Sequence, residues 1–269
     1  MSVSNEKVSV IMAVYNCEDT VAGAIESILN QTYKDIELII CDDCSVDGTY
    51  KVVEGYKAKY PDRIVLIQNE ENKKLPYSLN HCLKYATGKY VARMDGDDIS
   101  MPERFEKQIE YLRTHPDVDL VGTAMTVSDG KNVIGKVVKP EKVDKYSLVT
   151  TPCFCHATIM TYKYVYDKLN GYSLDKRNLR VEDVNLWFRF FAEGFNGANL
   201  SEELYIVTDD ESAYKRRKFK LRFNAMHTLY DGYKLLHYPI KYYPLVWLPV
   251  AKGLAPRFIY NLFRNKRFK

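Results

Sequence analysis

The sequence predicts an α/β fold in which a mostly parallel sheet carries helices on both faces. Strand-like apolar runs alternate three times with helix-length amphipathic segments before residue 100. A strand, a helix and a second parallel strand form the repeating unit of such sheets. The acids of this region also gather where the strands end, at Asp42-Asp43 and at Asp95, Asp97 and Asp98. Open parallel sheets bind their ligands at those carboxyl ends.

Each element follows from its local pattern. Val8 to Val14 (VSVIMAV) is a continuous apolar run, as in a buried strand. From Thr20 to Gln31, Val21, Ala24, Ile25, Ile28 and Leu29 recur at helical spacing. IELIIC gives a second strand, and the segment after Gly48 a second helix that ends before Pro61. IVLIQN is the third strand. It leads to a helix around Tyr77 to Tyr85, closed by Thr87-Gly88, and then to the strand YVARM. Past the acids, Ser100 is expected as an N-cap, with Pro102 in the first turn and Glu103 completing a capping box. LVGTAMTVSDGKNVIGKVV reads as a hairpin turning at Asp129-Gly130. From Glu182 a helix presents Val184, Leu186, Trp187, Phe190 and Phe191 as its apolar side. No internal repeat or low-complexity linker interrupts the pattern.

With 269 residues, 46% of them hydrophobic, the chain suits one large domain, or one domain with an appendage, around a substantial core. The N-terminus MSVSNEKVSVIM lacks the basic stretch, apolar run and small-residue cleavage site of a secretory signal. Its six cysteines are therefore expected as reduced, cytosolic thiols. The pairs Cys41/Cys44 and Cys153/Cys155 lack the context of a redox or zinc motif and read as small buried side chains.

The net charge of +4 conceals an asymmetry. From Ala213 to Lys269 there are fourteen Lys and Arg against one acid, Asp231, and thirteen of the thirty-five aromatics. The rest of the chain is net negative. A basic, aromatic tail on an acidic body implies attraction to a polyanionic surface, either nucleic acid or anionic lipid.

Three carboxylates within four positions repel one another unless a cation sits among them. An Asp-x-Asp at the end of a buried strand suits Mg2+ or Mn2+, which take carboxylate oxygens and share their shell with substrate phosphates. That points to a nucleotide diphosphate. An isolated Asp-Gly-Asp is ordinarily a solvated turn; here it follows a strand, and a second acid pair lies at a parallel position.

These residues resemble the inverting glycosyltransferases of family 2, which have a GT-A fold. The resemblance covers about residues 6 to 210. It rests on VSVIMAVYN, SILNQTYKDIELIICDDCSVDGT, ARMDGDDISMPERFEKQ and RVEDVNLWFRF, whose order and spacing are specific together. It implies a catalytic domain over 1–212, with a nucleotide-sugar half at about 1–100 and an acceptor half at about 101–212, followed by a basic aromatic helical tail over 213–269. Tyr15 and Asp43, with Asp42 close by, would line the nucleoside pocket. Asp95 would face the ribose, and Asp97 would ligate the metal that bridges the phosphates and offsets charge on the departing nucleotide. Asp98 is a third acid that could instead cap the next helix. Glu182-Asp183 matches the family's Glu-Asp motif, and Asp183 would take the proton of the attacking hydroxyl on the side of the sugar opposite the nucleotide. Acids in a first helical turn also have a purely structural reading through the helix dipole. His156 matches a position where the family often has His, near the donor phosphates or acceptor, and reads equally as a buried structural residue.

The sequence departs from the family pattern at Ala13, where Pro is common, at Cys44, where Gly or Ala is usual, and at Leu75, where Gly is frequent. It has no Gln-x-x-Arg-Trp after Glu182-Asp183 and no apolar run approaching the ~18 residues of a spanning helix. Both features mark processive synthases, so one sugar per encounter is expected. The acceptor would be a glycan or lipid-linked glycan, and the tail would hold a cytoplasmic enzyme on the inner face of an anionic plasma membrane. Two other classes fit less well. A nucleotidyltransferase would carry a glycine-rich phosphate loop where this chain has AVYNCEDT, and a nucleic-acid module would not place unshielded acids at its ligand edge.

Overall fold

The computed structural model describes residues 6–208, 219 and 221–254. Strands β1 (Val8–Val14), β2 (Ile36–Asp42) and β3 (Ile64–Gln68) alternate with helices α1 (Val21–Leu29), α2 (Thr49–Lys59) and α3 (Leu75–Leu83), and β4 (Tyr90–Asp95) closes this half. The order β3-β2-β1-β4 is parallel throughout. The chain therefore steps outward from β1 in one direction and then returns to its other side. Such a reversal opens a crevice at the carboxyl ends of the strands.

The second half comprises β5 (Ile99–Ser100), α4 (Arg104–Thr114), β6 (Leu120–Ser128), β7 (Val133–Val137), β8 (Lys142–Val143), β9 (Met160–Tyr162), α5 (Lys163–Leu169), α6 (Glu182–Ala192) and β10 (Gly197–Thr208). It extends the sheet as β4-β9-β6-β10-β5. Here β4–β9, β9–β6 and β10–β5 are antiparallel while β6–β10 is parallel, so the sheet is parallel through β4 and mixed beyond it. The expected hairpin forms as β6–β7, with Gly130 at φ 88 in its turn.

Period-two alternation divides the core into two layers. Val8, Val10, Met12 and Val14 of β1 pack with α1 and with Phe105, Ile109 and Leu112 of α4. Ile11, with Ile39 and Cys41 of β2 and Val91 of β4, faces the other side, where Leu79 and Cys82 of α3 meet Leu186, Trp187, Phe188 and Phe190 of α6. Phe188, absent from the expected apolar side of this helix, is buried there. All six cysteines are free, and four of them are buried.

Two local expectations are corrected. Helix α3 starts at Leu75, ahead of Tyr77, because Pro76 fits its first turn. The capping box does not form. Ser100 lies in β5 and its hydroxyl accepts from Gln31 Nε2 (3.2 Å), while α4 is preceded by Glu103, which makes no side-chain cap. Pairing of β5 with β10 pulls Ser100 out of reach of the helix.

Beyond β10, α7 (Leu221–Leu235) packs on α6, a 3-10 segment follows at Ile240–Trp247, and α8 (Leu248–Leu254) ends the described chain. Gly232 is required here: a Cβ would lie 2.2 Å from the Phe188 ring. Tyr233 and Tyr238 are buried, whereas Trp247 is exposed. Most of the cationic strip YKRRKFKLRF, and Phe258, Tyr260 and Phe263, lie outside the described residues. No helix among the described residues is long and apolar enough to cross a membrane.

Candidate active site

Strand register assembles the first group of acids. Val14 lies opposite Asp42 and Ala13 opposite Asp95, so Tyr15, Asp42-Asp43 and Asp95 share one edge of the sheet. The loops after β1 and β2 turn sharply, with Asn16 at φ 51 and Cys44 at φ 61. Cys44 thus occupies a left-handed position, which explains why a glycine suits it; a side chain there costs about 1 kcal/mol. The loops clasp each other through Asn16 N–H to Ser45 Oγ (3.0 Å) and Val46 N–H to Asn16 Oδ1 (2.9 Å).

The two neighbouring acids behave differently. Asp43 Oδ1 accepts from Asn69 Nδ2 and the Lys73 N–H (both 2.8 Å), and Oδ2 accepts from the Lys74 N–H (2.9 Å). Its carboxylate is occupied in shaping the loop before α3. Asp42 Oδ2 accepts from the Ser45 N–H and Gln68 Nε2 (both 3.1 Å), but its buried Oδ1 has no partner. Tyr15 stands half exposed beside them.

After β4, Gly96 lets the acid loop close on β1: a Cβ there would sit 2.8 Å from Val14 Cγ1. Asp95, Asp97 and Asp98 each offer an oxygen within 4.8 Å of the others. Asp95 is held by a bidentate pair from Arg93 Nη2 to Oδ1 (2.6 Å) and Nη1 to Oδ2 (3.0 Å). Asp97 is exposed. Asp98 is buried and accepts from the Thr208 N–H (3.2 Å) instead of capping α4. Burial, reinforced by Asp95 and Asp97, pushes its pKa up to about 8. A divalent cation fits this donor set, since three hard oxygens converge and their mutual repulsion is what a cation relieves.

The second group stands on α6 and the loops before it. Glu182 and Asp183 occupy the first turn of the helix. Glu182 is buried with Oε2 unpartnered, and burial, then the Asp183 charge, raises its pKa. Burial also raises Asp183, against an opposing pull from the Val184 N–H and Arg93. His156 Nε2 lies 2.8 Å from the Tyr172 hydroxyl, which lies 2.9 Å from that of Tyr166, and Trp187 meets the imidazole edge-on. Burial, then Arg93, holds the His156 pKa well below its usual value, so the ring is neutral. A cavity of about 260 Å³ separates Lys74 and Pro76 from Ser173, Asp175 and Leu179, between the start of α3 and the loop that leads into α6.

Sequence reasoning missed the residue that joins the two groups. Arg93 is buried, and the same period of two that aims Asp95 off β4 puts Arg93 on the α6-facing layer, which is the signal that could have found it. Burial works against its charge, yet Asp95 and the Tyr172, Tyr205 and Tyr166 phenols hold its pKa above the usual value. Arg104 was missed as well. Fully buried, it donates from Nη2 to Arg93 O (2.9 Å) and to Ala157 O and Ile159 O (both 3.3 Å), with its pKa lowered to about 10 by burial. It lies 5.1 Å from the Tyr205 ring, and the Tyr205 hydroxyl accepts from the Asp95 N–H (3.2 Å).

A switch-point crevice rimmed by two sets of carboxylates places the chain among α/β enzymes that act on ligands held at strand ends. The chain belongs to glycosyl transferase family 2, whose model matches residues 9–169. This sets aside the nucleotidyltransferase and nucleic-acid alternatives. It is 46% identical over 264 residues to EpsE of Bacillus subtilis (strain 168), which carries a glycosyltransferase name, covering 98% of this chain and 95% of that protein. It is 30% identical over 194 residues to UDP-Glc:alpha-D-GlcNAc-diphosphoundecaprenol beta-1,3-glucosyltransferase WfaP of Escherichia coli, covering 72% of this chain and 74% of that one. Two solved structures share the fold. S. aureus TarS 1-349 in complex with UDP-GlcNAc superimposes with TM-score 0.69 at 19% identity, covering 92% of this chain and 71% of that one. The mannosyltransferase PcManGT from Pyrobaculum calidifontis, in complex with GDP-Man and Mn2+, gives 0.65 at 20% identity, covering 93% and 70%.

Proposed function

We propose that this glycosyltransferase moves one hexose or N-acetylhexosamine from a UDP-sugar to a lipid-linked glycan in cell-surface polysaccharide assembly, inverting the anomeric carbon. One observation carries the reading: an acid cluster able to hold a divalent cation and a carboxylate whose pKa is raised by burial share the buried charge of Arg93. WfaP names a UDP-linked donor and a diphosphoundecaprenol acceptor, and TarS and PcManGT hold nucleotide-sugars, the latter with Mn2+.

Donor binding is assigned to residues 1–100. Tyr15 and Asp42 line the nucleoside pocket, and the unpartnered Asp42 Oδ1 is the acceptor for a base N–H, since a buried oxygen left without a partner costs about 1–3 kcal/mol. Asp43 shapes the same pocket through the loop it holds. Asp95, fixed by Arg93, faces the ribose. Asp97, with Asp95 and Asp98 close by, holds Mn2+ or Mg2+, which offsets diphosphate charge.

Acceptor chemistry is assigned to residues 101–212. Asp183 takes the proton of the attacking hydroxyl opposite the nucleotide, and that in-line approach inverts the centre. Glu182, beside Asp183 in the first turn of α6, is assigned with it to the catalytic pair, burial makes Asp183 the better base, and the neutral His156 offers a hydrogen bond to a phosphate or acceptor oxygen. The basic tail, residues 213–269, keeps the enzyme on the inner face of an anionic membrane, where a lipid-linked acceptor is presented. No nucleic-acid partner is assigned.

A donor screen tests this, with one nucleotide-sugar per well and UDP release as the readout. Release is expected only with Mn2+ or Mg2+, and Asp97→Asn is expected to abolish it. Full activity in excess chelator, or undiminished activity in Asp97→Asn, refutes the assignment.

A further inference from the structure

Helix α7 has two faces with different tasks. Thr228, Gly232 and Tyr233 are buried on one of them. Thr228 Oγ1 donates to Asn178 Oδ1 (3.0 Å), Asn224 Nδ2 to Leu179 O (3.2 Å) and Tyr233 OH to Val149 O (2.6 Å). The first two bonds tie the helix to the loop that enters Glu182-Asp183, and the third ties it to the segment that ends at Val149. The other face presents Phe223, His227, Tyr230 and Lys234, spaced at i, i+4, i+7 and i+11, and all four are exposed.

Residues 240–247 fold back along this outer face and leave an apolar groove of about 560 Å³, lined by Met226, Tyr230, Ile240, Tyr243 and Trp247 among others. Ile240 is 87% exposed and Trp247 56%. Single exposed apolar residues need no explanation, but here they cluster with Phe223, Tyr230, Leu235 and Leu254 on one C-terminal unit. The rim is cationic. Residues 221–254 carry Arg222, Lys234, Lys241 and Lys252 against Asp231, which itself lies 3.8 Å from Arg177. Lys234 stands 5.6 Å from the Tyr230 ring and Lys241 5.2 Å from that of Tyr242. The other ten Lys and Arg between 213 and 269 flank this segment in sequence.

We propose that this groove seats the protein on an anionic lipid leaflet, with acyl chains entering between Ile240 and Trp247 and the rim cations meeting headgroups. The inference rests on the membrane part of the proposed function and names the surface responsible. Protein interfaces deplete lysine at their centres, whereas aromatic rings interleaved with Lys and Arg are what a lipid interface selects. The geometry has a consequence for the acceptor. Because α7 is bonded to the loop before α6, a docked groove holds Glu182-Asp183 in a fixed relation to the headgroup layer.

The full-length chain has two tryptophans, and only Trp247 is exposed. Vesicles of phosphatidylglycerol and phosphatidylcholine, with bromine on the phosphatidylcholine chains, should quench Trp247 at low salt, and Trp247→Phe should remove that quenching. Ile240→Glu should keep the wild-type Tm and UDP-sugar hydrolysis, lose the quenching and bind vesicles about tenfold more weakly. Vesicle binding and quenching undiminished in Ile240→Glu would overturn the groove while leaving the transferase untouched. A Trp247 emission shift without lipid on Phe258→Glu would put the chain's own end in the groove, and one that depends on protein concentration would put a second copy there; either overturns the proposal. No nucleotide-sugar turnover with quenching intact would count against the proposed function alone.

Discussion

The two groups of carboxylates differ in how they are held. In the group at the ends of β2 and β4, Asp43 takes three hydrogen bonds and Asp95 a bidentate arginine. At the start of α6, Glu182 keeps an unpartnered buried oxygen, and burial raises both it and Asp183. Partners stabilise the charged form and so make a fixed anion suited to holding a ligand. Burial without partners destabilises the charged form and so makes a better base. The contrast separates Asp43 and Asp95 from Glu182 and Asp183, and suits the roles proposed for them, whereas Asp98, raised by burial and by its acidic neighbours, follows the second pattern within the first group.

Asp183→Asn should break the comparison most severely. Loss of the proposed base is expected to lower kcat by at least about 10³, while UDP affinity stays within about twofold, because the role proposed for Asp183 is on the acceptor. Titration calorimetry showing lost UDP binding would move the residue to the donor pocket. Stability should move the other way. A carboxylate whose folded pKa is raised contributes stability below its unfolded pKa and loses it as pH rises through the folded value. At neutral pH Asp183 therefore costs stability, and Asn should raise Tm by a few degrees, a gain that shrinks as pH falls. The acid limb of the wild-type rate profile should correspondingly lie above the usual aspartate value.

Arg93→Met should come next, since Arg93 pairs with Asp95 and its charge is felt at Glu182 and Asp183. It removes the partner of Asp95 and the cation that opposes the rise at Asp183. Breaking a buried pair of this kind costs about 3 kcal/mol, and kcat/KM should fall on the order of 10². The acid limb should shift to higher pH, and Arg93→Lys, which keeps the charge but not the fork, should restore the limb more fully than the donor affinity. An unchanged pH profile in Arg93→Met would show that the two groups are electrostatically independent.

How far the sequence could be read follows the same division. The group of acids at the strand ends was legible because strand ends are local: apolar runs terminate at Asp42 and Asp95, and the parallel pairing brings them together. Helix α6 was legible from its period. The surroundings of its acids were not, because Arg93 and Tyr172 reach them from distant segments that no local pattern connects. The capping box failed for a related reason. Ser100 and Glu103 satisfy the local rule, but pairing of β5 with β10, about a hundred residues away in sequence, claims Ser100 first. Asp43 was legible as a site residue, whereas its occupation by the Lys73 and Lys74 backbone was not, because it depends on the course of a loop thirty residues on.

Asp43→Asn sharpens the comparison at smaller scale. One amide oxygen replaces two carboxylate oxygens that accept three bonds, so one of the Lys73 or Lys74 N–H groups loses its partner. The expected cost is about 2 kcal/mol, read as a lower Tm. UDP affinity should weaken about tenfold as the loop loosens, with kcat nearly unchanged once donor saturates. A kcat loss comparable to that of Asp183→Asn would mean the donor-side acids take part in the chemistry as well as in binding.

The smallest effect belongs to His156, which tests whether burial acts on a base as it acts on the acids. Burial, with Arg93, lowers its pKa, so the sign reverses. A histidine whose folded pKa is depressed contributes stability above its unfolded pKa of about 6.5, and that contribution is lost as pH falls. Between about pH 6.5 and 5 the unfolded state therefore gains a proton that the folded state refuses, and thermal stability should decline by about 1 kcal/mol over that window. His156→Gln, which keeps a group able to bond the Tyr172 hydroxyl but does not titrate, should flatten this decline while Asp183→Asn leaves it in place. Melting curves of the three proteins across that range decide the point, and a decline of equal slope in His156→Gln would assign the acid sensitivity to some other buried group.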